Sequence, residues 1–396
     1  MPLIKPFKAL IPAAHLQRDV VTWPLENYST GEAKLIASEN SFSFLHLINP
    51  ALEHPYLRGS RQDLIYKKIQ ENLEDFLHLD VLVQVSQPAY YIYQISCNGL
   101  VQHGIWALSE VSSYLDGSIK KHELTVERRE KQLSDYMQQT GLDANPVLIT
   151  YRPDQVIDGL TKEYMETQPV VDFVLKDKSL HRVWVVDEEA DIDLITSAFR
   201  NMDAVYIADG HHRAAAMAKM DCFSTVYMST EEVRILQYNR LVKDLSGLGK
   251  AGFLKLLEED FEVEKSPGRV EPDALHVIGM YLENEWYYVR PRAGLFDEQD
   301  AVASLDVSIL QEHILEPLLK IKDPRTDTRI SFEGAVVAVE KLQEMVDNGL
   351  YVIAFTLHAV TVDQLMKVAD EHKVMPPKST WIEPKFLVGL LTNRIT

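Results

Sequence analysis

The sequence is poor in cysteine: Cys97 and Cys222 are the two in 396 residues. They make no C-x-x-C pair, which excludes a zinc ribbon and a thiol–disulfide motif, and so few thiols suggest a reducing cytoplasm. No apolar run reaches the roughly 18 residues that a membrane-spanning helix needs. Positive charge is scarce as well. Forty lysines and arginines stand against 59 aspartates and glutamates, a formal net charge of −19. That balance argues against nonspecific nucleic-acid binding, which requires a basic face. It leaves room for a small anion held by a few local basic groups. Internal repeats, heptads and low-complexity tracts are missing, as are a G-x-x-x-x-G-K-[ST] loop, a G-x-S-x-G elbow and an H-E-x-x-H pair. Gly247, Gly249 and Gly252 do match G-x-G-x-x-G. The polar VKDLS before them and the lack of a framing βαβ unit read better as a flexible loop.

What is present describes a folded protein with two or three domains: 46% hydrophobic and 25% charged residues over a length too great for one ordinary core. The opening MPLIKPFKALIPAAHL is broken by Pro2, Pro6 and Pro12 and is expected to start the fold, not to serve as a signal peptide. Residues 61–79 place Leu64, Ile65, Ile69, Leu73, Phe76 and Leu77 at helical spacing. Strands are expected at 89–96, 104–111, 146–152, 181–187, 234–242 and 350–358, and a helix at 191–200. Further helices are expected at 253–261, near 303–321, at 333–347, and after the capping residue Thr361. Residues 274–291 read as a hairpin turning at Glu283, Asn284 and Glu285. A soft boundary near 245–270 divides the chain into 1–250 and 251–396, and the mixed order indicates α+β or mixed α/β architecture.

Residues 206–217, YIADGHHRAAAM, concentrate the chemistry. The apolar Val205, Tyr206 and Ile207 make an inner strand, and the alanines after Arg213 make a helix, so the polar residues sit on a strand-to-helix corner. Gly210 lets an anion approach the backbone. Arg213 offers a bidentate grip on phosphate or carboxylate. His211 and His212 can donate hydrogen bonds or move a proton near neutral pH. Asp209 can hold Mg²⁺ or orient a histidine. The plain alternative is a turn followed by a solvated helix start. Adjacent histidines point about 100° apart on a helix and are poorly placed to chelate one metal.

Three further clusters stand out. His122 and Glu123 follow the Asp116–Gly117 turn, with Glu123 a candidate general base if buried; a solvated, charge-rich loop is the alternative. Lys378, Ser379, Thr380 and Lys385, stiffened by Pro376, Pro377 and Pro384, form a basic and hydroxyl patch suited to phosphate oxygens, or an ordinary C-terminal turn. Residues 322–334 interleave Arg325 and Arg329 with Asp323 and Asp327 and read as a surface salt-bridge loop.

Seven stretches in order resemble one family: IKPFKALIP, IKKHELT, HRVW, YIADGHHRAAA, YNRLVKDLSGL, DPRTDTRISFEGA and MPPKSTWIEPK. The family is catalogued as domain of unknown function 1015, a SerK-like, ParB-related group. Its D-G-H-H-R corner resembles that of free-serine kinases with the ParB/sulfiredoxin-like fold. The resemblance implies a ParB/sulfiredoxin-like core in the N-terminal portion, with a C-terminal α/β domain packed on it. It implies that Asp209, His211, His212 and Arg213 line a phosphate site, with His122, Glu123, Asn239 and Arg240 as partners. The sequence departs from the family pattern at residues 22–33, where many members carry Pro-Pro-Tyr-Asp, and at 129–136, where many carry an Asp-Arg pair.

The expected function is a cytoplasmic phosphotransferase or phosphohydrolase acting on a small metabolite, with free serine or phosphoserine favoured. ATP or ADP is the co-substrate, and Mg²⁺ is held at Asp209. Asp209, His211, His122 and Glu123 are the candidate catalytic residues. Gly210, His212, Arg213, Asn239, Arg240, Lys378, Ser379, Thr380 and Lys385 are the candidate ligand-binding ones. The expected partner is a small phosphorylated metabolite or nucleotide, with neither nucleic acid nor membrane. Two alternatives stay open: a nucleotide-binding regulator without turnover, and a structural protein whose motif residues hold the fold.

Overall fold

A computed structural model describes residues 1–57, 62–97, 99–334 and 337–395. The architecture is mixed α/β, and the chain folds into two compact units. The first comprises residues 1–120, 124–233 and 384–396, and the second residues 121–123 and 234–383. The division falls at 233/234 where the sequence suggested 250, and the last residues return to the first unit.

The first unit is built, among the described residues, on a nine-stranded mixed sheet. Its order is Ile119–Lys120, Val205–Asp209, Val147–Tyr151, Cys222–Ser229, Leu100–Glu110, Tyr90–Cys97, Leu180–Val186 and Val171–Val174, with Ile4–Lys5 also on Leu100–Glu110. Val205–Asp209 runs antiparallel to Val147–Tyr151, which is parallel to Cys222–Ser229. The inner strands are buried over their central residues: Tyr90, Ile92, Ile105, Ile149, Ile207 and Tyr227 share one core with Phe199 and Ala214 from the helices. Continuous apolar runs of this kind suit a sheet covered on both faces. The periodic helix near the N-terminus is Gln62–His78, and it buries Tyr66, Ile69, Leu73 and Phe76 in a separate core with Leu10, Phe44 and Leu82. Arg61, at the start of its expected span, lies outside the described residues.

The second unit carries a six-stranded antiparallel sheet in the order Phe261–Ser266, Glu285–Pro291, Ile278–Leu282, Ile353–Leu357, Tyr238–Val242 and Ile330–Gly334. Leu241, Tyr281, Trp286 and Ala354 pack with Val339, Leu342 and Val346 of the helix Val339–Asp347. The hairpin turns at Glu283 and Asn284, both left-handed (φ 47° and 64°), while Glu285 already belongs to the returning strand. Thr361 caps the helix Val362–Asp370 through a reciprocal box with Gln364.

Four expected elements differ. The helix expected near 303–321 is confined to Asp306–Leu310 and the wider turn Gln311–Leu315. The strand at 234–242 divides into Arg234–Leu236, which pairs with Trp381–Glu383, and Tyr238–Val242 in the main sheet. Gln237 between them lets one apolar run serve two sheets. The helix expected to reach 261 ends at Asp260, because Phe261 opens a strand. Residues 330–334 of the expected 333–347 helix region are strand, residues 335–336 lie outside the described residues, and the helix begins at Val339. Among the described residues no helix is long and apolar enough to cross a membrane.

Candidate functional site

In the first unit the strand Val205–Asp209 ends at the helix His211–Ala216, and Gly210 makes the corner in a left-handed conformation (φ 96°). A Cβ at position 210 would stand 2.9 Å from Nε and Nη2 of Arg213. Glycine is therefore required twice here, by the backbone angle and by the guanidinium lying against it.

Arg213 donates from Nη2 to Asp209 Oδ2 at 3.1 Å, one helical turn back. Its Nη1 donates to Asn145 Oδ1 and to the Pro146 carbonyl. Lys385 brings a second cation, with Nζ 3.4 Å from the same Asp209 oxygen. Burial opposes ionisation of Asp209, but Lys385, Arg213 and His211 outweigh it and hold the carboxyl down to about 2. His211 is buried at 4% exposure. His212 accepts the Val126 backbone N–H at Nε2 (3.1 Å), so its other nitrogen carries the proton of the neutral ring. The two histidines thus serve different neighbours.

Sequence reasoning missed Asn145, Pro146 and Asp143. The Asn–Pro pair marks a loop before a strand, and nothing local in it predicts an arginine partner. Asp143 is buried, and its Oδ2 accepts the Ser224 N–H at 2.6 Å. Burial pushes its carboxyl up to about 6, against the pull of that hydrogen bond and of Arg213.

The remaining candidates belong to the second unit. The Met375 N–H donates to the His122 carbonyl, which ties residues 121–123 to the proline-rich segment. His122 is buried and Glu123 half-buried. Asn239 and Arg240 are neighbours on one strand and so face opposite sides of the sheet. Arg240 donates to the Tyr238 carbonyl and, at 2.9 Å, to the Lys378 carbonyl, and lies 5.2 Å over the Phe332 ring. Asn239 turns away and accepts from Leu357 N at 3.2 Å, while its buried Nδ2 has no hydrogen-bond partner. Lys378 sits 5.5 Å over the Tyr238 ring. The Ser379 hydroxyl donates to Pro376 O at 2.7 Å, and Thr380 is half-buried beside it. The patch expected over 375–385 is thus divided: Lys378, Ser379 and Thr380 are in the second unit and Lys385 in the first. The 322–334 loop is the salt-bridge network expected, with Arg325 on Asp323 (2.9 Å) and Arg329 on Asp327 (2.7 Å) and Asp244 (3.2 Å).

No group of three or more histidine, cysteine, aspartate or glutamate side chains among the described residues is arranged to hold a metal ion. Asp209 alone presents a carboxylate at the corner. One carboxylate suits a Mg²⁺ that keeps its waters and arrives on nucleotide phosphates, and does not suit a resident, protein-caged ion.

A mixed α/β protein with one carboxylate held by an arginine and a lysine at a strand-to-helix corner is the class these observations define. The chain belongs to the family described as protein of unknown function DUF1015, whose model matches residues 4–308. Among solved structures it is similar to a free serine kinase in complex with AMP (14% identity, 71% of this chain and 88% of that one, TM-score 0.38). It is also similar to a C-terminally truncated SbnI from Staphylococcus aureus (10% identity, 72% and 85%, TM-score 0.39). A conserved hypothetical protein from Pyrococcus furiosus is a further likeness (14% identity, 72% and 93%, TM-score 0.37). No curated protein matches the sequence.

Proposed function

We propose that this protein is a phosphotransferase for a small hydroxyl metabolite, with its phosphate site at the Asp209–Arg213 corner. The observation that carries the reading is the convergence of Arg213 and Lys385 on one carboxylate oxygen, beside a glycine against which the Arg213 guanidinium rests. In a chain of net charge −19, two cations so placed form a local positive site. A nucleotide phosphate competes with Asp209 for them, and charge neutralisation of this kind is most of what phosphoryl transfer asks of a protein. Mg²⁺ arriving on the nucleotide would supply further neutralisation, and Asp209 would hold it or its water shell. His211 takes the hydroxyl proton as the oxygen forms its bond to phosphorus and the nucleotide P–O bond breaks.

Free serine is the favoured acceptor, ATP or ADP the donor, and a ParB/sulfiredoxin-like core the fold. These rest on the resemblance of the D-G-H-H-R corner to that of free-serine kinases. A phosphohydrolase acting on phosphoserine would use the same groups with water as the acceptor. His122, Glu123, Asn239, Arg240, Lys378, Ser379 and Thr380 are proposed as ligand-facing groups of the second unit. Cys97 and Cys222 form no disulfide among the described residues, in keeping with a reducing cytoplasm.

Phosphorus NMR with Mg²⁺, serine and ATP or ADP tests the reading, with phosphoserine alone as the hydrolase control. A phosphoserine signal that falls about 100-fold in Asp209→Asn is expected. Turnover unaffected by that substitution would remove the corner from the mechanism. Nucleotide binding without any product would establish the regulator instead.

A further inference from the structure

The sheet of the first unit has a second polar recess, at the end away from Asp209. Asp209 pairs with Leu148, whereas this recess lies beyond the Thr150–Tyr206 pair, at Tyr151. It is a cavity of about 100 Å³ between the helix Gln155–Met165 and the ends of the strands Val147–Tyr151, Leu100–Glu110 and Cys222–Ser229.

Three hydroxyl-bearing residues line it while almost wholly buried: Tyr151 (3% exposed), Thr161 (2%) and Ser229 (7%). Among the described residues none of the three hydroxyls has a hydrogen-bond partner. Hydroxyls in buried residues ordinarily bond to protein or to water, so these three are available to a polar occupant of the cavity. Charge says what kind. Glu232 is committed: Oε2 accepts the His103 N–H at 2.9 Å, and Oε1 stands 3.3 Å from His103 Nδ1. Asp158, half-buried, and Glu231, exposed at the mouth, also line the cavity, and neither enters an ion pair among the described residues. Lys162, one turn from Asp158 on the same helix face, is exposed and closes no pair with it either.

We propose that this recess binds a small organic ammonium compound. Its charged nitrogen sits between Asp158 and Glu231, and its polar groups meet the hydroxyls of Tyr151, Thr161 and Ser229. An ammonium has three donors to distribute, and carboxylates and hydroxyl oxygens supply three or more acceptors here. At roughly 10–15 Å³ per water-sized group, the cavity takes a ligand of about seven to ten heavy atoms. Asp158 agrees in direction: burial pushes its carboxyl up, Glu231 and Asp154 add to this, and Lys162 and His103 oppose it. A bound cation would relieve that carboxylate. Asp158, Glu231 and Glu232 do not form a three-carboxylate metal cage, which leaves hydrogen-bonding cations as the fitting class.

Thermal-shift and calorimetric titrations of the full chain would use ethanolamine, with ethylene glycol as its neutral counterpart. Ethanolamine should bind and raise the melting temperature, and ethylene glycol should do neither. Asp158→Asn should weaken ethanolamine binding by about tenfold or more, with Asp209→Asn leaving it unchanged. The proposal is overturned by equal responses to the two probes or by no response to either. It is also overturned by binding that survives Asp158→Asn, or by binding that is lost in Asp209→Asn, which would move the ammonium to the corner. Thr161→Val guards against a folding artefact: it should weaken binding while the unliganded protein keeps its melting temperature.

Discussion

Asp143 and Asp209 both lie in the field of Arg213 and acquire opposite acidities. Burial penalises the ionised form of each. At Asp143 that penalty prevails over the Ser224 N–H and the guanidinium, and the carboxyl rises to about 6. At Asp209 Lys385 joins Arg213, with His211 behind them, and the carboxyl falls to about 2. Asp143 is 5% exposed and the Asp209 side chain 39%, so a second cation on the same oxygen and readier access to water together keep Asp209 ionised where one arginine leaves Asp143 raised. Carboxylates whose surroundings drive them apart in this way can divide the roles of fixed charge and titrating group within one site.

Removing the cation they share is the most forceful way to break the contrast. Arg213→Ala strips partners from Asp209, from Asn145 Oδ1 and from the Pro146 carbonyl. A loss of about 2 kcal/mol at neutral pH is expected, the scale of several lost hydrogen bonds around a partly exposed, solvent-screened charge pair. Urea unfolding measures it. Arg213→Lys keeps the charge without the fork and should recover only part of the loss. A drop below about 1 kcal/mol for the alanine variant would mean that the guanidinium is a surface ornament and that the difference between the two aspartates has another origin.

How far this corner could be read from sequence follows from the reach of its contacts. Asp209 and Arg213 stand four residues apart, so both were visible in the D-G-H-H-R stretch, but their pairing depends on the left-handed Gly210 between strand and helix and was not read from it. Asn145, Pro146 and Lys385 come from 68, 67 and 176 residues away. Only the folded sheet brings them in. The helix Gln62–His78 was legible because its apolar spacing matches its burial over the last three turns, with Ile69, Leu73 and Phe76 inside, although near its start Leu64 is exposed and Tyr66 buried. The 234–242 run misled for the converse reason: its apolar residues satisfy two sheets, and periodicity does not say where a chain changes partner. Asp143 left no sign at all, since its acidity is a product of burial.

The contrast sharpens when Asp143 is neutralised. Its folded-state pKa of about 6 lies above the unfolded value near 3.9. Its contribution is therefore fully present below about pH 4 and is lost as pH rises through 6. Asp143→Asn keeps an oxygen for the Ser224 N–H and removes the charge. It should be more stable than the parent by about 2 kcal/mol at pH 8 and equal to it at pH 4. Asp209→Asn should show the reverse sign, because a carboxyl held down to about 2 adds stability above pH 4 that disappears as pH falls toward 2. Guanidinium unfolding across this range checks both slopes. Parallel profiles for the two variants would contradict the opposed environments.

The smallest expected effect isolates the backbone from the charges. Gly210→Ala faces two separate costs: a φ of 96°, which L-residues rarely adopt, and a Cβ 2.9 Å from the Arg213 guanidinium. The first alone is worth about 1–2 kcal/mol. The second depends on Arg213 and should vanish in the Arg213→Ala background, so a double-mutant cycle separates them. If the guanidinium rests against Gly210 as a fixed part of the corner, the alanine should cost more in the parent than in the arginine-free protein. It should also raise the pH at which Asp209 gains its proton, because a displaced cation no longer lowers it. Equal costs in the two backgrounds would show that Arg213 moves aside freely, and glycine would then be required at 210 by its backbone angle alone.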